Sequence, residues 1–404
     1  MTGKLHILFL ASYAPSTERP RAYNILCGLA RHFRVSLIAQ VRSPRERQAV
    51  EKMKADCDFA EAVPLSRARS LLNCLLHLPT PTPLRAAYFF NPAMKRAIAR
   101  RLATDPYDLV HVEHLMAAHF AAGLRGLVRS FDTIDSIARL QEKIRRFARS
   151  PVERLVSLEE LPKVRRYEPR LCRRFDCVLT STEMDRIALD SPNVRVVPNG
   201  VDLDYFQCGA ALQPVDEHGQ DAHDTILFYG RLSYVANAEA LRWFLRDIFP
   251  RVLADHPTAR LVIVGPSPPR DIRRAASDRI TVTGRVDDVR SYIRRARVVV
   301  CPARFAVGTQ NKILEPMAMG VPVVATCEAV AGMAAQPDRD LLVADDAEAF
   351  ARAVVRLLRD DAVRGLIAHN ARGYVQEHHD WRAIVDDLAA FYEEISARRE
   401  SERS

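Results

Sequence analysis

Short apolar runs alternate with stretches of helical spacing along most of this chain. HILFLASYAP (6–15) is a strand opening into a polar loop, and the next segment, about 21–32, sets Ile25, Leu26 and Leu29 on one helical face. VSLIAQV (35–41) is a second strand, 44–55 has helical spacing, and FAEAVPL (59–65) is a short strand. YDLVHVEHL (107–115) and SFDTIDS (130–136) are further strands. RRFDCVLTSTEMDRIAL (173–189) reads as strand, Ser/Thr cap and helix, and VRVVPNGVDLDYF (194–206) as strand and Asn-Gly turn. This alternation predicts a doubly wound parallel sheet.

A polar stretch without period, 207–224, reads as a linker. A second strand–helix series follows it. ILFYGRLSYVANAEALRWF (226–244) is strand, Gly-Arg turn and helix, and ARLVIVG (259–265) is a strand. ITVTGRVDDVRSYI (280–293) is a strand and turn leading to a helix capped by Asp287 or Asp288, and RVVVCPA (297–303) is another strand. The chain is therefore expected to be α/β, with two Rossmann-like domains at 1–206 and 225–378. A last helical stretch, 379–404, contains Trp381 and is expected to pack back on the first domain.

Composition changes this picture little: 404 residues, 48% apolar and 27% charged, fit two or three domains with cores of their own. The apolar ILFLASYA at 7–14 reads as the first strand rather than a leader, and LLNCLLHL at 71–78 is too short to span a bilayer. Eight cysteines without a C-x-x-C pair suit a reduced cytoplasm and suggest no metal site.

Charge is more informative. Residues 1–200 hold 33 Lys and Arg against 20 Asp and Glu, whereas the rest hold 26 against 30. A basic first half suggests an anionic partner: an inner membrane surface or a polyprenyl-phosphate lipid. The segment 137–174 concentrates this charge, from Arg139 through Arg149 to Arg174. It has no interleaved aromatic residues of the kind that stack on bases, which argues against nucleic acid.

The candidate chemistry centres on GTQNKILEPMAMGVPVVAT (308–326), which reads as loop, helix and strand. A glycine loop entering a helix aims free N–H groups and the helix dipole at an anion. Lys312 adds a positive charge in the first turn. Glu315, three residues on, shares its face and can accept from ribose hydroxyls. Such a face suits a nucleoside diphosphate; the plainer alternative is a capped helix with an ion pair. In the first half, His111, Glu113 and His114 stand at the C-terminal end of their strand, and Asp135 and Ser136 at the same edge. That edge is where open α/β sheets bind ligands. Neither first loop contains G-x-G-x-x-G, which argues against a dinucleotide oxidoreductase.

Several motifs occur together and in order: VPNGVD (197–202), YGRL (229–232), LVIVG (261–265), TGRVDDV (283–289) and the K-x-x-E helix with MAMGVPVVAT. With them the chain resembles the bacterial retaining GT-B glycosyltransferases of family four. LSYVANAEALRWF and GTQNKILE make it most similar to the sugar transferases associated with PEP-CTERM/exosortase exopolysaccharide systems. The resemblance implies a GT-B fold whose two parallel sheets face an interdomain cleft. It implies transfer of a sugar, with retention and without a metal, from a nucleoside-diphosphate sugar to a polysaccharide or polyprenyl-linked acceptor. It assigns the pyrophosphate to Gly230, Arg231 and Lys312, the ribose to Glu315, and the sugar and phosphate to Gly308, Thr309, Gln310 and Asn311. Gly284, Arg285 and Val286 would lie by the base. Glu113 or His114 would face the reacting sugar, with Arg19, Arg21, Asn24 and Asp135 on the acceptor side.

The chain departs from the family pattern at three places. Val307 stands where the family has a sugar-binding Glu, and Ala236 and Asn237 stand where it has a Lys. The first loop holds Arg19, Arg21 and Asn24 in place of a glycine pair. Two other functions remain compatible with this sequence: a nucleotide-sugar epimerase of the same architecture, and a non-catalytic assembly subunit.

Overall fold

The computed structural model describes residues 4–147, 151–207 and 224–401. It divides into two compact units, Met1–Pro198 with Trp381–Ser404, and Asn199–Asp380. Arg149 and almost all of the 207–224 linker lie outside the described residues.

Among the described residues, the first unit carries seven strands: β1 (His6–Ala11), β2 (Arg34–Val41), β3 (Phe59–Pro64), β4 (Leu109–Glu113), β5 (Val128–Ile134), β6 (Cys177–Thr180) and β7 (Val194–Val196). They form one parallel sheet in the order β3-β2-β1-β4-β5-β6-β7. Strand order reverses between β1 and β4, which makes their C-terminal ends the switch point of this sheet. The register sets Ala11 beside Glu113, and Glu113 beside Asp132, along that edge. Alternate residues of β1 enter opposite cores. Ile7 and Phe9 pack with Ile25, Leu26 and Leu29, and Leu8 and Leu10 with Val110, Val112 and Phe131.

The last helix, Trp381–Ser401, closes the first of these cores with Val385, Leu388 and Tyr392. Tyr392 is fully buried, and its hydroxyl lies 2.7 Å from both His111 Nδ1 and Ser130 Oγ. The two units meet in sequence at Pro198 and Asn199, ahead of residue 206, and at Asp380. Residues after the Asn-Gly turn are tied to the second unit by backbone and side chain. Val201 N donates to His379 O, and Arg290 Nη1 donates to Tyr205 O.

Among the described residues, the second unit has six strands: β8 (Thr225–Tyr229), β9 (Arg260–Val264), β10 (Ile280–Gly284), β11 (Val298–Cys301), β12 (Val323–Ala325) and β13 (Leu342–Val343). The sheet is parallel throughout, in the order β10-β9-β8-β11-β12-β13. Ile226 and Phe228 face one core and Leu227 and Tyr229 the other. The switch point here lies between β8 and β11, so the Gly-Arg turn after β8 and the loop after β11 come to the same edge.

The α/β, two-sheet expectation holds, with local corrections. The strand predicted over 107–115 ends at Glu113, because His114 takes φ 73 and turns the chain into helix Leu115–Ala121. The helix after β10 begins at Arg290 without a side-chain N-cap; Asp288 instead accepts from the Arg290 N–H at 2.9 Å. The basic segment forms two helices, Ile137–Phe147 and Pro151–Cys172. The 71–78 run lies on helix Arg67–His77 and its end. Among the described residues, no helix is long and apolar enough to cross a membrane.

Candidate functional site

In the second unit, helix Asn311–Ala318 follows the loop that leaves β11. Its inner face is apolar, with Ile313, Leu314 and Met317 buried, which fixes Lys312 and Glu315 on the other side. Gln310 stands at the N-cap but does not cap the helix. Its amide turns back and donates to Val307 O at 3.0 Å. The first-turn N–H groups are thereby left without a side-chain cap, the arrangement an anion can satisfy.

Lys312 and Glu315 do not form the ion pair that their spacing allows. The Lys312 ammonium donates to Asn237 Oδ1, and Glu315 Oε2 accepts from the Tyr229 hydroxyl at 2.8 Å. Asn237 also donates through Nδ2 to Arg231 O at 2.9 Å, so one side chain ties the Gly-Arg turn to the ammonium. The Phe228 ring centroid lies 5.7 Å from Lys312 Nζ, a further contact for the cation. Arg231 itself is exposed on that turn.

Two glycines make this approach possible. Gly230 has φ 143, and a Cβ there would stand 3.0 Å from Asn237 Nδ2 and 3.9 Å from Lys312 Nζ. Gly265 has φ 153, and its Cβ would fall 1.8 Å from Gly230 O, so no side chain fits where the two loops touch. Gly284, with φ 75, faces open space: nothing lies within 4 Å of where its Cβ would be. Arg285 is exposed beside it, and Val286 packs partly into the core.

Burial shapes the electrostatics. It lowers the Lys312 pKa from its ordinary value, while Cys301 and Glu315 act in the opposite sense. It raises Glu315 to about 7, against the Tyr229 hydrogen bond and Lys312. Thr309 Oγ1, on the loop, and Asn311 Oδ1, at the first helical position, are buried without a hydrogen-bond partner. Buried polar atoms are normally satisfied, so two orphans on the segment that carries Lys312 are available to a polar ligand. Val307 contributes no polar side chain here.

Because the folded-state pKa of Glu315 is raised, its contribution to stability is present below the unfolded value of about 4.5 and lost as pH rises through about 7. Glu315→Gln keeps an acceptor for Tyr229 and cannot ionise. The variant is expected to melt above the wild type at about pH 8, and the gap should close near pH 5. Paired thermal melts at the two pH values measure this; a gap independent of pH would contradict the assigned ionisation.

In the first unit, the edge residues have a different character. Glu113 is 3% exposed, its Oε2 has no partner, and burial with the adjacent Asp132 pushes its carboxyl up to about 7. His114 is half-buried with its ring 6.5 Å from that of Tyr13, and burial lowers it to about 4. Asp135 accepts from Ser181 Oγ at 2.7 Å and is raised to about 6 by burial and by Asp185. Ser136 is taken up in an internal network, with its hydroxyl on Glu168 and its N–H on Asp185.

Of the residues expected in the first loop, Arg21 and Asn24 lie on helix Pro20–His32, with Arg19 at its N-cap. Arg21 is buried and forms a two-pronged pair with Asp132, at 2.8 and 3.0 Å, while its Nη1 donates to Val197 O at 2.8 Å. It is a clamp inside the unit rather than an acceptor contact. Asn24 folds back on its own helix to donate to Pro20 O at 2.8 Å. Arg19 remains near the surface, its guanidinium 3.9 Å over the Tyr13 ring and 3.5 Å from Glu46.

Sequence reasoning passed over Asn237 and Tyr229 as functional side chains. The signal for Asn237 was its place at the position of the family's lysine. For Tyr229 it was a polar ring at the end of a buried strand.

Comparison with known proteins covers both units. Residues 21–205 match the family described as Glycosyltransferase Family 4, and residues 223–360 match Glycosyl transferases group 1. The phosphatidyl-myo-inositol mannosyltransferase of Mycolicibacterium smegmatis is 26% identical over 322 residues, 76% of each chain. The lipopolysaccharide core biosynthesis mannosyltransferase LpcC of Rhizobium leguminosarum bv. viciae is 25% identical over 262 residues, 62% of this chain and 74% of that one. Among solved structures, sucrose-phosphate synthase of Thermosynechococcus elongatus aligns with a TM-score of 0.74 at 19% identity, over 98% of this chain and 100% of that one. Anabaena HepE, solved in complex with UDP-glucose, aligns at 0.68 and 14% identity, over 96% and 100%. At those identities the likeness establishes the fold.

Proposed function

We propose, on the premise that this chain is a GT-B glycosyltransferase of the group 1, family 4 type related to mannosyltransferases of glycolipid and polysaccharide biosynthesis, that it transfers a hexosyl group from a nucleoside-diphosphate sugar with retention. The acceptor in this reading is a polyprenyl-linked or growing polysaccharide. The subgroup motifs LSYVANAEALRWF and GTQNKILE favour exopolysaccharide synthesis of the PEP-CTERM/exosortase kind. A reaction that draws on cytoplasmic sugar nucleotides and a lipid-linked acceptor runs at the inner face of the membrane.

The observation that carries the reading is the Lys312 ammonium, held by Asn237 at an uncapped helix start whose neighbouring residues Thr309 and Asn311 carry unpartnered buried oxygens. As the bond from the anomeric carbon to the phosphate oxygen breaks, negative charge builds on the departing diphosphate. A preorganised ammonium, the exposed Arg231 and free N–H groups stabilise that charge more than they stabilise the intact donor. The acceptor oxygen bonds to the anomeric carbon on the same face, and its proton passes to the leaving phosphate oxygen. Charge compensation of this kind comes from the chain's own cations and needs no metal ion. Glu315 accepts from the ribose hydroxyls. With Val307 in place of a carboxylate, the hexose is held by Thr309, Asn311 and loop backbone groups.

Screening sugar nucleotides by thermal shift tests the reading. A bound donor at about 100 times its Kd adds roughly 2.7 kcal/mol of stability by mass action. GDP-mannose is the first to try, since both sequence relatives are described as mannosyltransferases. A melting temperature indifferent to every sugar nucleotide would sink the proposal. An isomerised sugar nucleotide formed without any acceptor would redirect it to an epimerase.

A further inference from the structure

Helix Arg67–His77 is built inside out. Ser70 is fully buried, Asn73 Nδ2 donates to Phe90 O at 2.9 Å, Cys74 Sγ donates to Leu84 O, and the His77 ring packs edge-on against Phe90. The polar face is therefore the inner one. Leu71, Leu72, Leu75 and Leu76 share the opposite face and are 54–65% exposed.

Helix Pro151–Cys172 repeats the inversion in its first turns. Ser157 and Glu160 point inward, Ser157 Oγ donating to Gln141 O and the Glu160 carboxylate accepting from the N–H groups of Leu84 and Arg85. Val152, Leu155 and Val156 point outward at 47–68% exposure. The two helices are joined at the end of the first. Lys163 Nζ donates to His77 O at 3.0 Å and Leu78 O at 2.8 Å, which docks the second helix on the end of the first. Its exposed residues lie about two to three turns before that contact.

Single exposed leucines need no explanation, but two apolar stripes on helices joined in this way do. Exposed basic residues lie on or next to the same helices: Arg67 and Arg69 begin the first, Arg154 lies on the second, and Arg145 and Arg146 end the helix just before it. A second copy of this chain would set like charges against each other around any such contact. A bilayer with anionic headgroups matches both features, since its acyl boundary accepts the leucines and its phosphates pair with the arginines.

We propose that these two helices form a membrane-docking face that lies in the interfacial plane of an anionic bilayer, with the leucines inserted. The inference rests on the proposed function only for the lipid-linked location of the acceptor, and its test needs no catalysis.

Full-length protein is floated with vesicles of phosphatidylethanolamine and phosphatidylglycerol, and with phosphatidylcholine alone, at low and high salt. The wild type should prefer the anionic vesicles and keep part of its binding at high salt, since apolar insertion is not screened. The variant Leu71→Gln/Leu72→Gln/Leu75→Gln/Leu76→Gln alters exposed positions and should fold normally, checked by its melt and by its donor-induced thermal shift. Its binding should drop about tenfold or more, with the remainder salt-sensitive. As a second readout, Leu75→Trp should give a blue-shifted emission with anionic vesicles.

Vesicle binding unchanged in the leucine variant overturns the proposal. So does a lipid-free dimer in sedimentation that the leucine variant abolishes, which would make a second copy the occupant. A chain that binds sugar nucleotides but ignores vesicles refutes the docking face alone. One that binds vesicles but no sugar nucleotide refutes the transfer reading alone.

Discussion

Replacing Lys312 with alanine is expected to lower kcat/KM for sugar transfer by about 10²–10³-fold, the cost of removing one preorganised donor to a developing anion. The ammonium is pre-positioned: Asn237 holds it, Phe228 backs it, and Gly230 leaves room beside it. Its burial disfavours the charged form in the free protein, so alanine relieves a desolvation cost. The melting temperature of the unliganded variant should therefore stay near that of the wild type while the donor-induced shift shrinks. Lys312→Arg should not rescue, since a planar fork is bulkier than an ammonium next to Gly230. The exchange Asn237→Lys/Lys312→Asn should recover part of the activity, because it returns an ammonium to the same hydrogen-bonded pair from the other helix. Steady-state kinetics with varied sugar nucleotide measure these effects. Full turnover and a full thermal shift in Lys312→Ala would remove Lys312 from the donor site.

The donor side was legible because it is contiguous. Loop, helix and strand lie within residues 308–326, and helical spacing alone places Lys312 and Glu315 on one face. Their partners were not legible. Asn237 and Tyr229 are 75 and 86 residues away, and only the strand order β8-β11 brings them to the same edge. Periodicity says which residues share a helix face but not which face is inside. The leucines of helix Arg67–His77 form a clean stripe in sequence, yet Ser70, Asn73 and Cys74 face inward, because Phe90 and Leu84 offer carbonyls there. The backbone turn at His114, with φ 73, is likewise absent from the strand pattern that runs through it.

Arg21 shows the same limit with a larger energetic consequence. A cation in a loop after the first strand suggests a ligand contact, but its partner, Asp132, lies 111 residues on and becomes adjacent only through the β1-β4-β5 order. Both groups are buried, Asp132 fully, and the guanidinium also satisfies the Val197 carbonyl. Arg21→Ala would leave the buried carboxylate to the Ile134 N–H, which donates to Asp132 Oδ1 at 3.0 Å. The expected cost is about 3–5 kcal/mol of stability, the usual penalty for breaking one side of a buried pair. Arg21→Lys should recover little, since an ammonium cannot reproduce the fork that spans both Asp132 oxygens. Asp132→Asn in the Arg21→Ala background should cost less than in the wild type, because the charge it removes is already unpaired. Denaturant unfolding of the four proteins gives the coupling energy directly. A stability unchanged by Arg21→Ala, together with a raised KM for the acceptor, would return Arg21 to the acceptor site.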